Sequence, residues 1–178
     1  MANIKSSIEL AMEKTASYKL SVEEKEKLQE EEIRSKAMGF VNRFLDAGLH
    51  FREVEKELSK YDSDQRTQLE RFMISDFAKT IQLDRDNALI FEGIEKLKPG
   101  SRKLTGSIQD LVASYQKRKE QEFEKIATDI RSRLEKSGIS GSAVVPKVMG
   151  SPEWEKVQAS FQPAFEKRLA DFLAQLKD

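Results

Sequence analysis

The chain has 178 residues, with 31 basic and 31 acidic side chains, one His and no Cys. A net charge of zero removes the simplest argument for a nucleic-acid binder, which needs a basic footprint. The missing cysteines exclude disulfides, thiolate metal sites and a Cys nucleophile. Only 38% of residues are apolar and 35% are charged. That balance suits thin apolar stripes on long helices better than a thick core.

The opening Met-Ala-Asn-Ile-Lys runs into Ser and Glu without forming a signal-peptide apolar core. No run approaches the 18 or so apolar residues that would span a bilayer. The expectation is a cytoplasmic protein with no membrane contact, folded as a single domain over residues 1–178. Residues 3–15 carry Ile4, Ile8, Ala11 and Met12 on one helical face. A helix of about 13 residues is marginal alone in water, so residues 1–18 must dock on their own chain or swap onto another copy.

Ser21, with Glu24 three residues on, is a capping box. The helix it opens is polar from Val22 to Glu32, then turns apolar through Ile33, Ala37, Phe40, Val41, Phe44 and Leu45. Its start should be solvated and its end buried. Gly39 lies inside, where it suits a close approach by another helix, and Gly48 is a C-terminal stop with Leu49 packing back. A short helix follows with Phe51, Val54, Leu58 and Tyr61. Asp62-Ser63-Asp64 caps the next, which carries Leu69, Phe72, Met73, Phe77 and Ile81. Asp84-Arg85-Asp86 caps a fifth, which Pro99-Gly100 ends.

Residues 99–106 read as a linker. From Ser107 to Ser137 there is neither Gly nor Pro, and Ser107 with Asp110 is a start signal. Ile108, Leu111, Tyr115, Phe123, Ile126, Ile130 and Leu134 fall on one stripe. At 1.5 Å per residue this rod is roughly 46 Å long, as long as a compact domain of this size is wide. Gly138 can close it. Residues 138–151 form a long loop, expected to be ordered by Val144, Val145, Val148 and Met149 packing on the helices. Ser151-Pro152 opens the last helical region, in which Pro163 should break or kink the rod before Phe165, Leu169, Phe172, Leu173 and Leu176. The predicted fold is all-α: an elongated helical bundle of about six to seven helices around one long central helix at 107–137, with coiled-coil-like packing.

Chemical motifs are sparse. His50 is the only His and stands at a helix start. A di-iron Glu-x-x-His pair fails because Ala47 precedes His50 by three. Asp84, Asp86 and Glu95 mimic three EF-hand positions, but Leu89 occupies the Gly position and Ala88 a ligand position. The turns Gly100–Gly106 and Gly138–Gly141 lack the order of a phosphate loop. The reading therefore assigns no catalytic residue, metal or cofactor.

Charge is unevenly spread. Residues 99–150 carry 10 basic and 6 acidic groups, against 17 and 20 over residues 1–98. The positive positions include Arg102, Lys103, Lys117, Arg118 and Lys119. The last three are consecutive and fan across about 200° of a helix, so a solvated surface is the plainer account. Trp154, beside the long loop, is the best candidate for an interface aromatic, although a buried structural Trp is the simpler assignment. Three functions are carried forward. The first is a non-enzymatic interaction or scaffold protein that self-associates and holds another protein, using Ile4, Ile8 and Met12 among its contacts. The second is an adaptor for an anionic polymer, nucleic acid or acidic protein, through the basic positions, with nucleic acid the weaker partner. The last is a small carboxylate enzyme.

Overall fold

The computed structural model describes residues 21–46, 48, 50–141 and 143–177. The expected N-terminal helix with Ile4, Ile8 and Met12, and the packing of Leu49, lie outside them. The secondary structure of the described residues is all α, with no strand. In chain order they are α1 (Val22–Asp46), α2 (Phe51–Leu58), α3 (Ser63–Thr80), α4 (Ala88–Leu97), a 3-10 turn (Pro99–Ser101), α5 (Arg102–Lys136) and α6 (Pro152–Lys177).

Local signals set most of the boundaries. The Ser21 hydroxyl accepts from the Glu24 N–H at 3.1 Å, and the Glu24 carboxylate accepts from the Ser21 N–H at 2.8 Å. These two reciprocal bonds satisfy donors at the open end of α1. Asp62 caps α3 by accepting from the Gln65 N–H at 2.8 Å. At the end of α5, Gly138 has φ +79°. The N–H groups of Gly138 and Ile139 bond back to Glu135 and Leu134 at 3.0 and 2.9 Å, a Schellman closure.

One core holds most of the chain. α1 buries Ile33, Ala37, Phe40, Val41 and Phe44 against α3, which buries Leu69, Met73, Phe77 and Ala78. Phe44 meets both Phe51 of α2 and Phe77 edge-on, at centroid distances of 5.5 and 5.8 Å. α4 adds Ile90, Phe91 and Ile94, and the first half of α5 adds Ile108, Leu111, Val112 and Tyr115. α6 runs antiparallel to α5: Tyr115 contacts the rings of Phe161 and Phe165 at 5.8 and 5.4 Å. Toward the end of α6, the Lys98 ammonium donates to the Leu176 carbonyl at 3.3 Å, a cation at a helix C-terminus.

Four expectations are corrected. The long helix begins at Arg102, not Ser107, and is 35 residues long. Residues 99–106 are the 3-10 turn and the first turn of that helix, not a linker. Thr105, fully buried, donates its hydroxyl to Glu95 at 2.6 Å and holds the helix through Gly106. The Ser107 hydroxyl donates to the Lys103 carbonyl instead of capping. Of the break or kink expected at Pro163, the break does not occur: Pro163 lies inside α6, which is continuous around it. Proline removes one helical N–H and crowds the preceding turn; Phe161 and Phe165, on either side of it, are both held by Tyr115. Gly39 approaches nothing, for a Cβ built there has no neighbour within 4 Å. The close approach occurs at Gly93, where a Cβ would lie 2.6 Å from the Phe77 ring. Finally, of the loop residues expected to pack, Val148 is buried and Val144 half-buried, while Val145 and Met149 are exposed.

Candidate functional site

The antiparallel pair α5–α6 outruns the main core. The last α5 side chain with a polar anchor in the body is Lys119, whose ammonium meets the Asp84 carboxylate at 2.5 Å. Seventeen more residues carry α5 about 26 Å further. This prong has its own small core of Ala127, Val148 and Trp154. Trp154 stacks edge-on against Phe123 at 5.7 Å, and Ile126 and Ile130 are only half covered. At the junction of prong and loop, Arg133 bridges Asp129 at 2.7 Å and Glu153 at 3.1 Å. Those carboxylates, Glu153 first, hold the Arg133 guanidinium above its ordinary range. Glu153 is held below the usual carboxylate range, first by its own backbone N–H and then by Arg133. The connection at the tip exposes Ile139, Val145 and Met149.

Where the prong leaves the body, the α3–α4 connection is fastened to α5. Asn87 is buried, and its side-chain amide donates to the Gln82 and Arg85 carbonyls at 2.8 and 2.9 Å while accepting from the Gln82 N–H at 3.1 Å. This staple presents Asp84 to α5. There the Tyr115 hydroxyl donates to Asp84 at 3.5 Å, and Gln116 donates to the Leu83 carbonyl at 3.3 Å. Burial pushes the Tyr115 hydroxyl above the usual tyrosine range, and the Asp84 charge adds to it.

The basic positions do not converge into one surface. Arg102 pairs with Glu95 at 3.6 Å. Arg118 pairs with Glu122 at 3.3 Å and lies over the Phe161 ring at 5.8 Å. Lys119 is committed to Asp84. Lys103 and Lys117 are exposed, roughly 21 Å apart along α5, and make no ion pair among the described residues. Trp154 is 3% exposed, inside the prong rather than on a surface. His50 stands at the N-terminal cap position of α2, without a capping bond. The three EF-hand-like carboxylates are drawn apart: Asp84 to Lys119, Asp86 to the Ala88 N–H at 2.9 Å, and Glu95 to Thr105 and Arg102.

Sequence reasoning missed Asn87 and the exposed tip. Asn87 follows a cluster that reads as a cap, and only the folded loop reveals its three bonds. Val145 and Met149 carry the expectation of packing because Val and Met usually pack, and nothing local marks Ile139 as exposed.

Among the described residues, no group of three His, Asp or Glu side chains could hold a metal. The buried polar side chains there are Asn87, Ser101 and Thr105, none of them an acid. A notch of about 470 Å³ between α1 and α3 is lined by Glu26, Gln29, Glu30, Gln68, Arg71 and Phe72, and is largely polar. No described helix is long and apolar enough to cross a membrane. No family model, curated protein or solved structure matches the chain.

Proposed function

We propose that the protein is a non-enzymatic scaffold that associates with itself and holds another protein, with α5–α6 as its docking arm. The single observation behind this reading is the uneven cover of α5. Its first half is enclosed by the body, while Phe123, Ile126 and Ile130 in its second half have only α6 and one loop over them. Exposed apolar surface concentrated at one end of a molecule favours a protein partner. In this reading the antiparallel arm packs in coiled-coil fashion within an elongated bundle, and a second copy docks at its exposed end.

The polymer-adaptor reading is weaker, because Arg102, Arg118 and Lys119 already face carboxylates within their own fold. Light scattering at micromolar concentration tests the proposal. The expected result is a mass above that of one chain that rises with concentration. A strictly monomeric mass throughout removes self-association.

A further inference from the structure

We infer that the occupant of the prong tip is the acidic first half of α1 from a second copy, joined head to tail. This rests on the self-association proposed above and names the two surfaces that meet. Six large apolar side chains are about half exposed or more among the described residues, and three of them, Ile139, Val145 and Met149, share the one connection at the tip. The surrounding sequence is cationic. Residues 130–150 carry four basic groups and one acidic group, a net of +3. Arg133 is tied to Asp129 and Glu153, whereas Lys136 and Lys147 are exposed. The tip is therefore an apolar knob with cations beside it. It fits a surface that offers apolar contact among carboxylates.

The same chain carries such a surface elsewhere. Residues 22–32 hold six Glu and two Lys, a net of −4. Leu28 stands among them at 52% exposure, with Glu24, Glu31 and Glu32 within one turn on its own side. It stands five positions before Ile33, so it points about 140° away from the side of α1 that enters the core. Neither α2 nor α3, the helices α1 packs on, can cover it. Opposite net charges bring the two surfaces together, and the apolar side chains on each lose water on contact. The patches differ from one another, so the contact is heterologous and a joined pair leaves one tip and one α1 segment free. Unless its rotation closes a ring, the assembly is an open chain that grows with concentration.

Charge reversal with rescue tests this on the full-length protein. Sedimentation velocity at roughly 50 mM salt, where the attraction is least screened, should show association. Lys136→Glu with Lys147→Glu should weaken it about tenfold or more, as should Glu31→Lys with Glu32→Lys. All four substitutions in one chain should restore it. All these positions are exposed, so the helical circular dichroism should stay that of the parent. Association that persists through both reversals, or that the fourfold variant fails to recover, overturns the tip-to-α1 contact while leaving self-association standing. A wild-type chain that is monomeric at every concentration overturns both. So does a monomer whose tip binds vesicles of anionic lipid.

Discussion

The helices α5 and α6 run through both the body and the prong, under different conditions. In the body, Tyr115 is fully buried among Phe161, Phe165 and the α3–α4 connection. In the prong, one helical face meets one partner helix, and the buried core shrinks to Ala127, Val148 and Trp154. Helix propensity does not make this difference, since α5 is continuous across both regions. What changes is the number of neighbours able to take apolar surface from water. Regions with few buried contacts open at lower free energy than the global unfolding of the fold. The prong should therefore behave as a separate, weaker unit.

The sharpest way to break that distinction is to truncate one large aromatic in each region. Phe77→Ala removes a ring that touches Phe44 and fills the space over Gly93, and should lower global stability by about 3–5 kcal/mol in urea melts. Trp154→Ala deletes a side chain of similar burial, yet its cost should appear locally. Amide exchange should rise over residues 120–135, while the α3 amides from Leu69 to Ile81 keep their protection. If Trp154→Ala lowers the urea midpoint as far as Phe77→Ala does, prong and body unfold as one unit and the comparison fails. Asn87→Ala comes next. It deletes three hydrogen bonds and leaves the Gln82 N–H and two carbonyls without their partner, at a cost of about 3 kcal/mol. It should also loosen Asp84, so the double variant Asn87→Ala with Lys119→Met should cost less than the sum of the two single changes.

How much of this was legible in the chain follows from the range of the interaction. Ser21 with Glu24, the Asp62-Ser63-Asp64 cap and Gly138 act within a few residues, so sequence alone located them. The stripe from Ile33 to Phe44 was legible for a related reason: helical spacing puts those residues on one side whatever the partner is. Gly106 and Pro163 misled because both are helix breakers when judged locally, at about 1 and 3 kcal/mol respectively. Contacts distant in sequence offset them, Thr105 to Glu95 in one case and Phe161 and Phe165 to Tyr115 in the other. Gly39 and Gly93 look alike in the sequence, and only the position of Phe77 separates them. The unpaired surface at the tip could not be read either. A run such as Val144-Val145 gives no sign of whether anything lies within reach to cover it.

Smaller effects refine the account of the body. Gly93→Ala gains roughly 1 kcal/mol of helix propensity but places a methyl group against a ring that is fully buried and has nowhere to go. Overpacking of this kind costs about 1–3 kcal/mol. The net should be a loss of about 1 kcal/mol, and Gly93→Ala combined with Phe77→Leu should recover part of it. The same Gly→Ala change at Gly39, where the new Cβ meets nothing, should stabilise instead. Equal effects at the two glycines in thermal melts would show that Phe77 can move aside and that the core around it is loose.

Tyr115→Phe should have the smallest effect at neutral pH, about 0.5 kcal/mol for one long hydrogen bond, and its signature lies at alkaline pH. Burial first, and the Asp84 carboxylate second, hold the folded hydroxyl above its ordinary range. An unfolded tyrosine begins to lose its proton near pH 10. Above that point the folded chain binds more protons than the unfolded one, so stability falls as pH rises, whereas below it the contribution of this group is fully present. Removing the hydroxyl removes that slope. The wild type should lose stability faster than Tyr115→Phe between about pH 10 and 11, and the two curves should run parallel between about pH 7 and 9. Parallel curves throughout would mean that Tyr115 reaches solvent, and that the join between body and prong is open rather than sealed.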